Sequence, residues 1–225
     1  MYKILNKTLL CAALCLTAGI ANAKDGAYVG VQGGYSWIQT PEIRDHKAAG
    51  GNNLVDHNRG DYAWGVNTGY ETSVARNFSA GAELAYNDDG NSTITYASYN
   101  TYTISSNDID LLLTAKYNLA SSPFYIGAKA GVASVDQRYQ IDKYVSGTPD
   151  QTRSNYGFRP VVDLTLGYNI NKNFDLYLGY KHIFARDADR TSEAFKKTPA
   201  DPVSPDVYRG ISTVDTANLG LAYHF

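Results

Sequence analysis

Beyond Lys24 the chain has no cysteine, because the two it contains, Cys11 and Cys15, both fall within the first 23 residues. A disulfide framework, a thiol nucleophile and a thiolate metal site are therefore closed to the mature chain. Long apolar runs are absent as well. Nothing after Lys24 approaches the ~18 consecutive apolar residues of a helical membrane span, and the mean hydropathy is -0.33, so a helical membrane protein is excluded. An excess of positive charge is the third absence. With the two leader lysines set aside, 18 basic residues face 22 acidic ones, a net charge near -4, and without a basic surplus nucleic acid is not an expected partner.

What the chain does contain begins with an export pattern. Lys3 and Lys7 form a basic start, Leu9 to Ile20 an apolar stretch, and Ala21-Asn22-Ala23 an A-x-A cleavage site. This predicts a signal peptide over 1–23 and a mature chain from Lys24. Leu14, directly before Cys15, does not fit the small residue of a lipoprotein site.

Tyrosine (19) and glycine (20) are abundant, as expected where rings sit at two membrane interfaces and glycines line a narrow interior. Eight segments then alternate apolar and polar residues: 26–39, 61–72, 77–87, 107–119, 123–135, 156–170, 174–186 and the last residues of the chain. Each is long enough for the ~9–11 residues of a tilted transmembrane strand. In the first, Val29, Val31, Tyr35 and Trp37 share one face, and Gly30, Gln32, Gly34 and Ser36 the other. A soluble sandwich or ligand-binding barrel would turn the apolar face inward, but the opposite face here carries too much Gly, Asn and charge to line an apolar cavity.

Short connectors (73–76, 120–122 and 171–173) alternate with long ones near 40–60, 88–106, 136–155 and 187–212. That alternation predicts short periplasmic turns, four long extracellular loops and both termini in the periplasm. At the end of the chain Leu219, Leu221, Tyr223 and Phe225 fall on one face, with Asn218, Gly220, Ala222 and His224 on the other. The ending Gly220, Leu221, Tyr223 and Phe225 resembles the C-terminal signal of bacterial outer-membrane β-barrels, which the barrel-assembly machinery reads as Gly, apolar, x, aromatic, x, Phe. The whole mature chain resembles the small OmpA/OmpX-type barrels, including the opacity-type surface antigens. The resemblance implies an all-β, eight-stranded antiparallel up-and-down barrel over 24–225 in the outer membrane of a Gram-negative bacterium. It further implies a non-enzymatic surface protein that contributes to envelope integrity and adheres to host or matrix components through its loops. A small gated pore and a lipid A-modifying enzyme are the alternatives.

On the inward register the segments collect Glu71, Glu83, Asp110 and Asp163 with Lys116, Lys129, Arg159 and Lys181. An eight-stranded barrel has room only for its own side chains. The four acids and four bases are therefore expected to pair into a lumen network that offsets their desolvation, with an ion path gated by switching partners as the other reading. Of the four histidines, His182 faces outward, but Phe184 stands where a lipid hydrolase would place serine. His224 points toward the periplasmic mouth. His46 and His57, beside Asp45 and Asp56, match no closed metal site. No catalytic group, metal or cofactor is expected. Partner-specific function then falls to the loops. Tyr96, Tyr99 and Tyr102 lie in a stretch from Thr93 to Ile104 whose β-propensity predicts a protruding hairpin, open to strand addition by other proteins. In the last loop Lys196 and Lys197 are placed to meet lipopolysaccharide phosphates.

Overall fold

The computed structural model describes residues 25–39, 54–96, 100–120, 122–143, 151–184 and 210–225. Tyr99, Lys196, Lys197 and His46 lie outside them, as does the 1–23 leader. The strands are β1 (Gly26–Ile38), β2 (Leu54–Asn58), β3 (Gly60–Ala75), β4 (Phe78–Tyr96), β5 (Asn100–Asn118), β6 (Phe124–Lys143), β7 (Gln151–Asn169), β8 (Phe174–Ile183) and β9 (Val214–His224). All but β2 join one antiparallel ring, and the β4–β5 and β1–β9 pairings leave it without an open seam. β9 pairs with β1 from Tyr28↔His224 to Ile38↔Val214, and the amide of Phe225 donates to the Ala27 carbonyl at 3.1 Å. The alternation ending at Phe225 is thus the last stave of a closed barrel, which is how a sheet can sit in hydrocarbon with every backbone group paired.

Outward positions carry the apolar residues. Leu113 is 74% exposed and Leu164 61%, whereas inward Asp110 is 1% and Lys181 3%, the reverse of a soluble core. Aromatics bound this apolar band at both ends: Tyr117, Phe124, Tyr168 and Phe174 at the short-turn end, and Trp37, Tyr62, Trp64 and Phe158 at the other. Phe158 and Tyr168 on β7, at ~3.3 Å per residue and a tilt of about 40°, stand about 25 Å apart along the axis. That is the height of an outer-membrane hydrocarbon band.

The ring is uneven in height. β8 ends at Ile183, whereas β4, β5, β6 and β7 run on beyond the aromatic ring and stay paired up to Thr95↔Thr101, Asn100↔Lys143 and Ile141↔Gln151. Much of the connectors at 88–106 and 136–155 is therefore strand, leaving 97–99 and 144–150 between described elements. Part of 40–60 is strand too, since β2 adds to the extension of β4 through His57↔Ile94 and Asn58↔Thr93. Apolar alternation stops where lipid stops, but hydroxyl-bearing strands continue as long as a neighbour pairs their backbone. The protruding hairpin expected over Thr93 to Ile104 is the top of this sheet. Within it β4 shifts register between Asp88 and Asn91. Gly90 sits there at φ +70°, and a Cβ would lie 2.7 Å from the Tyr62 carbonyl oxygen, so the bulge needs glycine.

Candidate functional site

The lumen is filled in layers, and the cross-strand register explains each. At the short-turn end Tyr28, Tyr125 and Tyr177 are buried together with Ala222. Each tyrosine stands opposite a glycine on the next strand, in the pairs Tyr28↔Gly69, Tyr125↔Gly167 and Tyr177↔Gly220. A Cβ on those glycines would come within 2.6, 2.0 and 2.1 Å of ring atoms, so the rings lie across the space the missing side chains leave. One layer higher the same device uses asparagine, in Gly30↔Asn67, Gly65↔Asn87 and Gly179↔Asn218.

Charges fill what the rings leave. Lys116 donates to Asp175 at 2.5 Å, stands 4.0 Å from Glu71 and sits 3.9 Å above the Tyr125 ring. Asp175 also meets His224 Nε2 at 3.1 Å. Above them Lys129 bonds both Glu83 oxygens at 2.9 Å, with Asp163 at 3.9 Å, and Tyr28 donates to Glu83 at 2.6 Å. Higher still, Lys181 is surrounded by Asp108 at 2.9 Å, Asp89 at 3.3 Å and Asp110 at 3.9 Å. A hydrogen-bond chain ties the layers: Asn67 donates to Tyr177, Tyr177 to Gln32, Gln32 to Asn87, and Asn87 to Asp108 and Asp110. Such a network gives each lysine carboxylate partners, although one oxygen each of Asp89, Asp110 and Asp163 is buried without a hydrogen bond. Arg159 lies on the inward register higher on β7, and its Nη1 donates to the Phe158 carbonyl at 3.0 Å.

The end away from the short turns is closed by apolar side chains. Ile38, Val135, Val161, Ile183 and Val214 form a buried cluster inside the ring, and Ile211 from the segment leading into β9 drops into it. That segment is held by polar contacts: Ser212 and Gln137 exchange hydrogen bonds at 2.7 and 3.0 Å, and Tyr139 donates to the Gly210 carbonyl at 3.0 Å. Tyr139 lies above the membrane band, and burial pushes its phenol up from the ordinary tyrosine value, so it acts as a neutral donor. At the short-turn end a vestibule of about 650 Å³, bordered by Arg76, Glu71, Asn118 and Lys172, opens outward. It gives way to about 40 Å³ between the three tyrosines.

Several of these residues escaped the sequence reading. Asp108 and Asp175 share the inward parity of their strands, but parity does not tell whether a position near a strand end lies in the lumen or beyond its mouth. Asp89 continues the inward parity of Glu83 and Asn87 but lies beyond 87, the end of the alternating segment, and the bulge after it moves the inward parity to Ser92. The apolar cap was missed because inward positions were read for polarity alone. On the outward face His182 Nδ1 meets Asp215 at 2.6 Å, Tyr180 donates to the same carboxylate at 2.7 Å, and Phe184 packs edge-on against the imidazole at 4.3 Å. Among the described residues no group of three His, Cys, Asp or Glu could hold a metal ion. Tyr96 and Tyr102 sit in paired strands.

A closed eight-stranded barrel with a lipid-facing apolar band, interfacial aromatics and a lumen packed with paired charge is the architecture of an outer-membrane protein. The outer membrane protein beta-barrel domain family matches residues 8–225. The chain belongs to that family and is a protein of the bacterial outer membrane. No curated protein matches its sequence. Among solved structures it is similar to Ail, the attachment invasion locus protein of Yersinia pestis, at 11% identity over 88% of this chain and 99% of that one, with a TM-score of 0.46. It is also similar to Neisserial surface protein A, at 13% identity over 88% and 97%, TM-score 0.46. A third likeness is to the outer membrane protease OmpT of Escherichia coli, at 11% identity over 93% and 100%, TM-score 0.50. At these identities the likeness is one of fold.

Proposed function

We propose that this is a non-enzymatic surface protein that braces the outer membrane and presents its projecting sheet to host or matrix components. One observation carries the reading: a plugged barrel supports a sheet that rises from β4 to β7 beyond the interfacial aromatics. A filled lumen is a rigid pedestal, and a pedestal holding up a paired sheet suits presentation rather than transport. Residues 1–23 are the export signal in this scheme, and Gly220, Leu221, Tyr223 and Phe225 the ending that the assembly machinery takes. Tyr96, Tyr99 and Tyr102 at the hairpin, with Lys196 and Lys197 in the last loop, are the candidate contacts for partners and lipopolysaccharide. Among the described residues the contacts of the His182 ring are Asp215 and Phe184 rather than a serine, which weighs against a lipid-hydrolysing role.

Cells displaying the protein should bind host-cell surfaces or matrix proteins above background, and removal of residues 91–104 should abolish the gain while the barrel still reaches the membrane. Binding that survives the deletion would shift the adhesive role away from the hairpin, and no binding at all would sink it. The pore reading keeps one specific support, since Lys129 has a second carboxylate, Asp163, 3.9 Å away to which it can turn. Against it stand the apolar cap and the Lys181 cluster. Planar-bilayer recordings of the intact chain are therefore expected to show no steady conductance, and well-resolved unitary currents would reverse that order of preference.

A further inference from the structure

The outward face of the projecting sheet changes chemistry at a defined level. Going up β5, the outward side chains run Leu113, Leu111 and Ile109, then Asn107, Ser105 and Thr103. The neighbouring strand continues the polar row, since Asn107 stands opposite Asp136 and Ser105 opposite Arg138, and Asp136 in turn faces Tyr156 on β7. These six residues form one patch. On a sheet its members repeat at about 4.8 Å across strands and about 7 Å along them.

The patch is partly ordered and partly unsatisfied. Ser105 donates to Asn91 Oδ1 at 2.6 Å, and Asn91 donates in turn to Asp61 at 3.3 Å, so the hydroxyl row is held in place before anything binds. Asp136 Oδ1 is buried with no hydrogen-bond partner, and Arg138 makes no hydrogen bond or ion pair among the described residues. The Tyr156 ring is 73% exposed, one pleat above Phe158 of the interfacial ring. Hydroxyl and amide groups in rows, an exposed guanidinium with open donors and a free aromatic face are what a polyol ring needs. Its hydroxyls both give and take hydrogen bonds, and its C–H face stacks on an aromatic. One arginine beside an aspartate gives no field for a dense phosphate cluster.

Position names the source. The patch is continuous with the lipid-facing strip of the same strands and begins directly above the aromatics that mark the interface. We propose that this face binds the core saccharides of the lipopolysaccharide packed around the barrel. The sheet then stands against the sugars of its own membrane, leaving its tip and edges for other partners. The inference rests on the outer-membrane placement and not on the adhesive role.

The test reconstitutes the barrel in bilayers of lipopolysaccharide with a complete core and, separately, of lipopolysaccharide cut back to lipid A and its innermost sugars. Amide hydrogen exchange over 100–107 and 134–140 is expected to slow by about tenfold or more in the complete-core bilayer, with no change in β8. A variant combining Thr103→Val, Ser105→Val and Arg138→Gln, whose changes at the first two sites favour strand structure, should lose that slowing. It should still fold, as judged by heat-modifiable gel mobility. Equal exchange of the wild type in both bilayers, or slowing retained in the variant, would overturn the assignment while leaving the outer-membrane barrel intact. Slowing produced in the truncated bilayer by an added matrix protein, and lost in the variant, would make the face a protein-binding surface instead. Failure to fold in either bilayer would remove the membrane reading beneath it.

Discussion

The lumen and the outer wall are built by the same strands with the same alternation, and they solve opposite problems. Inside, above the short-turn vestibule, the described positions are crowded. Rings and amides lie across glycines, three lysines meet seven carboxylates, and Ile211 closes the end away from the short turns. Outside, side chains stand free: Leu113, Phe158 and Tyr156 are each more than two-thirds exposed. Inward positions are therefore dictated by their neighbours across the ring, while outward ones are dictated by what surrounds the protein. Substitutions on the two faces should differ in size for that reason, and the difference can be measured.

The largest effect is expected at Lys181. Its ammonium is the cation set among Asp89, Asp108 and Asp110, and the side chain is 3% exposed. Lys181→Met leaves those carboxylates facing one another, and removing one partner of a buried ion cluster costs about 3–5 kcal/mol. Urea unfolding in lipid vesicles, followed through Trp37 and Trp64 at the interface, would report it. Adding Asp108→Asn to the variant should return part of the loss, because less unpaired charge then remains, whereas Asp108→Asn alone should destabilise. Independent, additive losses would mean the lumen charges are solvated separately rather than linked.

How much of this was legible beforehand follows from period and depth. A period of two is written into the side chains, so strand identity and the inward set Glu71, Glu83, Asp110, Lys116, Lys129, Asp163 and Lys181 could be read directly. Pairing depends on height along the axis, which register sets and parity does not. Lys129 could not be matched with Glu83, nor Lys116 with Asp175, until β4 was laid against β5 and β8 against β9. Asp89 keeps the parity of Glu83 and Asn87 yet lies in a stretch read as connector, so its place beside Lys181 could not be seen. The height of the projecting sheet was hidden for another reason. Above the membrane no apolar partner is needed, so β-propensity showed the hairpin over Thr93 to Ile104, but the equally tall pairing of β6 with β7 up to Ile141↔Gln151 lay in a connector with no alternation to mark it.

The glycines give a sharper test of the inside. Gly167 faces Tyr125, and a Cβ there would sit 2.0 Å from the ring. The ring cannot move far, because Lys116 sits over it and its own strand is paired on both sides. Gly167→Ala is expected to cost about 1–3 kcal/mol as an overpacked interior substitution. Tyr125→Ala in the same chain should recover part of that cost by clearing the clash. The same unfolding measurement checks both, and a neutral Gly167→Ala would show that the rings have room the packing denies them.

Gly33 provides the opposite case and the smallest effect. It faces outward on β1, and the only atom a Cβ would approach is the Ala63 carbonyl oxygen at 4.0 Å. Glycine within a strand costs about 0.5–1 kcal/mol relative to alanine through the freedom it loses on folding. Gly33→Ala should therefore leave stability unchanged or raise it by up to about that amount. If instead it destabilised the barrel as much as Gly167→Ala, the inward glycines would owe their effect to strand flexibility during insertion and not to the rings laid over them. The contrast between a crowded lumen and a free outer wall would then fail at the glycines, where it is easiest to isolate.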